Sequence, residues 1–211
     1  MLTLFIIFWG SIAYLLGSIP SSVWIGKAYF GKDVRDFGSG NAGATNTFRI
    51  LGTNVGIVVL FLDILKGVTA SSLVHYMPVV EHGTEPFINL QLLFGILAVI
   101  GHILPVFEKF RGGKGIATLF GMLIGIHYVL AIVCVALFVL VLLLTKYVSL
   151  SSILAAISFP VFTVYVFHRD EPLLIAFGIT AAILVVITHK KNIVRLLNGQ
   201  ESKAKLFKSK S

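Results

Sequence analysis

The sequence predicts an all-α polytopic membrane protein with seven transmembrane helices, the fourth of them short, an outside N-terminus and a cytoplasmic C-terminus. Three observations predict it. The 211 residues are 57% hydrophobic and 12% charged, with a mean hydropathy of +0.96, well outside the range of a soluble domain. Apolar runs of roughly 20 residues, enough to cross a hydrocarbon core of ~30 Å as a helix, recur along the chain. The basic residues gather in alternate connections between those runs, the pattern that sets orientation in a bilayer.

The first run, 2–25, has no basic residue before it, Lys27 being the earliest charge. A secretory leader opens on a basic segment, so this run is expected to stay as a helix with its N-terminus outside. Runs at 55–76 and 87–107 follow, then 115–145, 149–167 and 172–188. Residues 115–145 are too long for one upright span, since 31 helical residues measure about 45 Å. Either one helix tilts strongly, or a short helix turns near Gly125-Ile-His127 and a full one follows. Charge decides between them. With the turn, Lys27, Lys32, Arg35 and Arg49, then Lys109, Arg111 and Lys114, then Lys146, then the basic tail all fall on the cytoplasmic side, and Arg169 alone is left outside. The external loops then carry Glu81, Glu85, Asp170 and Glu171. With six spans the tail would face outward, so seven are predicted. They form a single domain, 1–201, followed by a basic tail, 202–211, without an internal repeat.

The formal charge of +8 does not point to nucleic acid. Seven of the 17 basic residues follow His189 and others flank apolar runs, as expected of anchors against anionic membrane lipids. The lone cysteine, Cys134, lies in an apolar run and forms neither a disulfide nor a CxxC metal site; packing accounts for it.

This topology collects three polar, glycine-marked segments on the cytoplasmic side. The first, 37–49 (FGSGNAGATNTFR), contains G-x-G-x-x-G at Gly38, Gly40 and Gly43, but with no strand before it a dinucleotide fold is excluded. What remains is backbone that admits a ligand closely, with hydroxyls and amides from Ser39, Asn41, Thr45 and Asn46 and a phosphate-binding fork on Arg49. Singly, each of these polar groups also reads as a loop cap. The second segment, 110–118 (FRGGKGIAT), runs into an apolar helix, so its first-turn N–H groups and Lys114 form an anion site, with Arg111 close by. A basic patch for lipid headgroups needs the charges but not Gly112, Gly113 and Gly115. The third segment, 189–201 (HKKNIVRLLNGQE), sets His189, Asn192 and Arg195 near one helical face, before a glycine stop at Gly199. Within the second run, Asp63 and Lys66 are spaced to pair at membrane depth, as a functional site or as helix packing. His102 closes its span, and Gly121 with Gly125 marks close helix packing.

Together these segments resemble the bacterial membrane glycerol-3-phosphate acyltransferases that use acyl-phosphate as donor, the PlsY family. The likeness runs from 14–20 (YLLGSIP) to Glu201. It rests on GSGN-x-GATN at 38–46 with Arg49, on LD-x-LKG at 62–67, on GH-x-x-PVF at 101–107 leading to GGKG-x-AT at 112–118, on YVSL at 147–150, and on His189-x-x-Asn192 with Arg195, Gly199 and Glu201. Two positions depart from the family pattern: Thr188, where a basic residue often precedes the histidine, and Val194, where asparagine is common before the arginine. The resemblance implies a seven-helix fold in the bacterial cell membrane. It implies that acyl-phosphate and glycerol-3-phosphate react at the cytoplasmic face to give lysophosphatidic acid and phosphate, without metal or cofactor. Ser39, Arg49, His189 and Asn192 would be catalytic. Gly112, Gly113, Lys114 and Gly115, with Asn41, Asn46 and Thr118, would bind substrate phosphate, and Glu201, Arg195, Asp63 and Lys66 would support the site.

The chemistry suits that inventory. Acyl-phosphate is a mixed anhydride with a good leaving group, so positioning and charge stabilisation suffice. The general base is either His189 or a substrate phosphate. Acyltransferases that use acyl-CoA or acyl carrier protein resemble one another in H-x-x-x-x-D, and none of the six histidines has an aspartate five places on. The alternative to an enzyme is a transporter for a phosphate ester or anion, with Asp63 and Lys66 in the pathway; two related halves, common in transporters, are not seen.

Overall fold

A computed structural model describes residues 1–78 and 80–204. Val79 and most of the predicted basic tail, 205–211, lie outside the described residues. The chain forms two compact units, Met1–His127 and Tyr128–Ser211.

In the first unit the run 2–25 is not one continuous helix. It forms α1 (Leu2–Ser18) and α2 (Ser21–Phe30), bent by 42°. Pro20 lacks an amide hydrogen and forces the residue before it out of helical geometry; Ile19 is extended at φ −61, ψ 110. The short amphipathic α3 (Ala44–Leu51) passes to α4 (Thr53–Ser72) through Gly52, whose φ of 88 and ψ of 176 only glycine adopts readily. Then come α5 (Glu85–Ile103) and the start of α6 (Ile116–Thr145).

Small residues bring these helices together. A Cβ on Gly17 of α1 would overlap the Ala98 backbone of α5. The predicted glycine pair is used in the same way: a Cβ on Gly121 would overlap the Ile64 carbonyl of α4, and one on Gly125 the Ser71 hydroxyl. In a bilayer, where helices gain little from hiding apolar surface from one another, such close approach is a main source of packing energy. Ala13, Ala70, Val74, Phe94 and Ala98 are buried among α1, α4 and α5.

α6 breaks at His127 (φ −151, ψ 87), where the sequence reading places its turn. The 116–126 arm is about 16 Å long, too short to cross the core alone. The second unit holds residues 128–145 of α6, α7 (Val148–Tyr165), α8 (Pro172–Thr188) and α9 (Lys190–Leu197), with a 60° bend between α8 and α9 at His189. Phe159 of α7 packs edge-on against Phe177 of α8, 6.2 Å between ring centres, beside Gly178. Among the described residues four helices are long and apolar enough to cross a membrane, or up to six spans if each bent pair counts as one.

Candidate functional site

In the first unit the loop before α3 is organised by one side chain. Asn46 is 1% exposed; its Nδ2 donates to the carbonyls of Val34 (2.7 Å) and Phe37 (3.1 Å), and its Oδ1 accepts the Ser39 N–H at 2.9 Å. Gly38 and Gly40 are left-handed at φ 61 and 70, which folds the loop over Asn46. The result is that Ser39 stands exposed on a pinned backbone, with Asn41 half-buried beside it. Asn46, expected among the phosphate ligands, is instead engaged in holding this loop. Arg49, in the last turn of α3, is exposed and makes no ion pair among the described residues.

The glycine-lysine segment is tied to the end of α5. The Gly112 N–H donates to the Ile103 carbonyl at 3.1 Å and the Gly113 N–H to the His102 carbonyl at 3.0 Å. A Cβ on Gly112 would overlap the same carbonyls, and one on Gly113 the His102 ring. These two glycines therefore serve close packing, and their amides are occupied. The donors left for an anion are the first-turn amides of α6, which have no acceptor within the helix. Lys114 sits half-buried at that helix start, and Thr118 is fully buried with an Oγ1 that has no hydrogen-bond partner among the described residues.

Beneath this loop lies a buried polar cluster. Lys66 Nζ is 3.0 Å from Asp63 Oδ1 and donates to the Ile19 carbonyl at 3.1 Å, while Ser21 donates to Asp63 at 3.3 Å. The predicted Asp63–Lys66 pair thus holds the broken joint between α1 and α2. Ala42 of the first segment and Gly112 and Gly113 of the second line one small cavity with Ser21, Asp63, Lys66 and His102.

A further network escaped sequence reasoning. Arg35 uses all five of its N–H donors. Nε reaches Asp33 Oδ1 at 2.9 Å, Nη2 reaches Asp33 Oδ2 and Glu108 Oε2 at 2.6 Å each, and Nη1 reaches the carbonyls of Arg111 at 3.1 Å and Glu108 at 3.4 Å. Lys27 Nζ lies 3.3 Å from both acids. The hydrogen bond from Arg35 holds the Asp33 carboxyl well below the usual carboxylate range. The spacing of Asp33 and Arg35 was visible in the sequence, but their long-range partner Glu108 was not.

In the second unit Glu201 is the organising group. Its Oε1 accepts from Ser149 at 2.9 Å and Asn192 at 2.8 Å, and its Oε2 from Arg195 Nε at 2.8 Å. Burial pushes its carboxyl up, but the hydrogen bonds from Asn192, Arg195 and Ser149 outweigh it and hold the group below its ordinary value. Ser149 was visible only as part of the 147–150 motif; its contact with Glu201 was not. His189 is buried at the bend into α9, with Nδ1 2.8 Å from the Val185 carbonyl. That contact places the proton of a neutral ring on Nδ1 and makes Nε2 the basic nitrogen. Of the predicted residues, Ser39, Asn41, Asn46, Arg49, Asp63, Lys66, Lys114, Thr118 and the glycines belong to the first unit, and His189, Asn192, Arg195 and Glu201 to the second.

The chain is similar to known proteins. A family model described as glycerol-3-phosphate acyltransferase matches residues 7–199. The glycerol-3-phosphate acyltransferase of Staphylococcus carnosus is 46% identical, over 92% of this chain and 95% of its own length. That of Fusobacterium nucleatum is 42% identical, with the same coverage of 92% and 95%. Among solved structures, PlsY (YgiH), an integral membrane glycerol 3-phosphate acyltransferase, is similar in its glycerol 3-phosphate form with a TM-score of 0.82 and 36% identity over 94% of both chains. Its lysophosphatidic acid form gives 0.79 and 34%. The chain, a multi-pass membrane protein by its apolar helices, belongs to the glycerol-3-phosphate acyltransferase family.

Proposed function

We propose that this chain transfers a fatty acyl group from acyl-phosphate to glycerol-3-phosphate at the cytoplasmic face of a bacterial membrane, releasing lysophosphatidic acid and inorganic phosphate. In this reading residues 1–201 are one catalytic domain with seven membrane helices, α6 supplying two of them on either side of His127, the first too short to cross the core alone. The observation that carries it is the pairing of an exposed hydroxyl, Ser39, on a loop pinned by Asn46 with a helix start bearing Lys114 in the same unit. Backbone amides and cations of that kind suit phosphate groups and a developing oxyanion.

The hydroxyl oxygen of glycerol-3-phosphate attacks the acyl carbon. The bond from that carbon to the phosphate oxygen breaks, and the phosphate leaves with the electron pair. The hydroxyl proton goes to His189 Nε2 or to a phosphate oxygen. Arg49, Lys114 and the first-turn amides of α6 hold the phosphates, and the family motifs assign to Ser39 and to Asn192 the orienting of the hydroxyl or the stabilising of the tetrahedral oxyanion. Glu201 accepts an N–H of Asn192 at 2.8 Å and so holds its amide in place. The acyl chain lies among apolar helices, which explains why the reaction belongs in a membrane protein.

The test is purified protein in detergent with glycerol-3-phosphate and either acyl-phosphate or acyl-CoA. Lysophosphatidic acid is expected from acyl-phosphate. No product from it, or equal use of acyl-CoA, overturns the reading.

A further inference from the structure

We propose that Arg35 is a positioning residue: it clamps the turn 108–111 in a left-handed conformation and thereby fixes where Lys114 and the first turn of α6 stand. Lys109 and Phe110 are consecutive non-glycine residues at φ 55 and φ 59. Side chains rarely adopt that conformation, and it persists only where the surroundings over-determine it. Arg35 supplies that constraint. Its Nη1 binds the carbonyls of Glu108 and Arg111, the residues on either side of the left-handed pair, and its Nη2 binds the Glu108 carboxylate. The chain then passes directly into Gly112 and Gly113, whose amides dock on the end of α5, and so to Lys114.

Because its donors are all engaged and its side chain is only 11% exposed, Arg35 acts on substrate through the turn and not by touching it. Asp33 orients the guanidinium from the opposite edge, so the loop that carries Ser39 and the loop that carries Lys114 share one rivet. Lysine cannot replace it, having one compact head in place of a planar fork. This inference rests on the reading of 112–118 as a phosphate site.

The experiment measures kcat and KM for glycerol-3-phosphate in wild type, Arg35→Lys, Glu108→Gln, and Arg35→Lys combined with Lys109→Gly and Phe110→Gly. Misplacing a binding group by about an ångström costs up to ~100-fold. Arg35→Lys is therefore expected to raise KM by roughly tenfold or more while kcat stays near wild type, with Tm lowered by the lost hydrogen bonds. The added glycines, at home in the left-handed region, remove the drive to relax and bring KM back most of the way. An unchanged KM in Arg35→Lys, or a loss of kcat, KM and Tm together that the glycines do not recover, overturns the proposal. Should Arg35→Lys not fold, Glu108→Gln decides, with a raised KM expected and an unchanged one against. Thermal stabilisation by glycerol-3-phosphate provides a readout without turnover. If the wild type is stabilised but makes no product, the functional reading fails; if Arg35→Lys is stabilised as strongly as wild type at sub-saturating ligand, the clamp fails.

Discussion

The two units are organised by hubs of opposite sign. In the first, a cation, Arg35, sits among two carboxylates and two backbone carbonyls. In the second, a carboxylate, Glu201, collects three side-chain donors from α7 and α9. The cationic hub grips the backbone at both ends of the 108–111 turn, so it fixes the path of that loop. The anionic hub grips side chains, so it fixes the aim of Asn192. Exposure separates them too: the Arg35 side chain is 11% exposed, whereas Arg195, the charged partner of Glu201, is 49% exposed and screened by solvent. The first hub is a rivet for backbone and the second a guide for one amide.

The largest effect that tests this division is Lys114→Ala. Removing a charge that stabilises the reacting groups typically costs 10²–10³ in rate, and a loss of about that size in kcat/KM for glycerol-3-phosphate is expected. Lys208→Ala, in the basic tail, leaves kinetics unchanged; equal small effects of both would reduce the 110–118 segment to a lipid-binding patch. Next comes Asn46→Ala. It leaves the Val34 and Phe37 carbonyls and the Ser39 amide without their partner, at a cost of about 2–3 kcal/mol. Thermal unfolding should register it alongside a fall in kcat. Undiminished stability would show that the loop holds without Asn46. Glu201→Ala is smaller in stability, about 1–2 kcal/mol because Arg195 turns to solvent, yet it frees Asn192 and should depress kcat more than KM. Glu201→Gln, which keeps an acceptor, should restore most of kcat; failure to do so would mean that the charge, and not the aim of Asn192, is what matters.

Apolar runs of span length were enough to locate the long helices, because such runs are local features of sequence. The break at His127 was also readable, since the 115–145 run exceeds the thickness of a bilayer. The break after Ile19 was signalled by Pro20 but hidden inside a continuous apolar run. In the site, residue types were legible and their division of labour was not. Asn46 and Lys114 look equally suited to phosphate in a list of polar residues. Only the fold shows that Asn46 lies inside its loop, and that Gly112 and Gly113 direct their amides to α5. Glu108 pairs with Arg35 across 73 residues, a contact that depends on how α1, α2 and α5 pack.

Acid sharpens the comparison with the smallest effect. Asp33 and Glu201 both have folded carboxyls held below their ordinary range. A depressed carboxylate favours the folded state above the unfolded pKa, about 4 for such groups, and that contribution is lost as pH falls toward the lower folded value. Stability should therefore decline as pH drops below about 4, and Asp33→Asn and Glu201→Gln should each flatten the decline while lowering stability near neutrality. Because both carboxyls are held below their ordinary range in the folded protein, the decline belongs to the unfolding equilibrium, and kcat of the protein that stays folded should change little through either group. Thermal unfolding from about pH 6 to 3.5, with kcat followed where the fold persists, checks this. A loss of kcat in wild type that Asp33→Asn or Glu201→Gln abolishes would show that the carboxyl titrates in the folded protein and would overturn this reading.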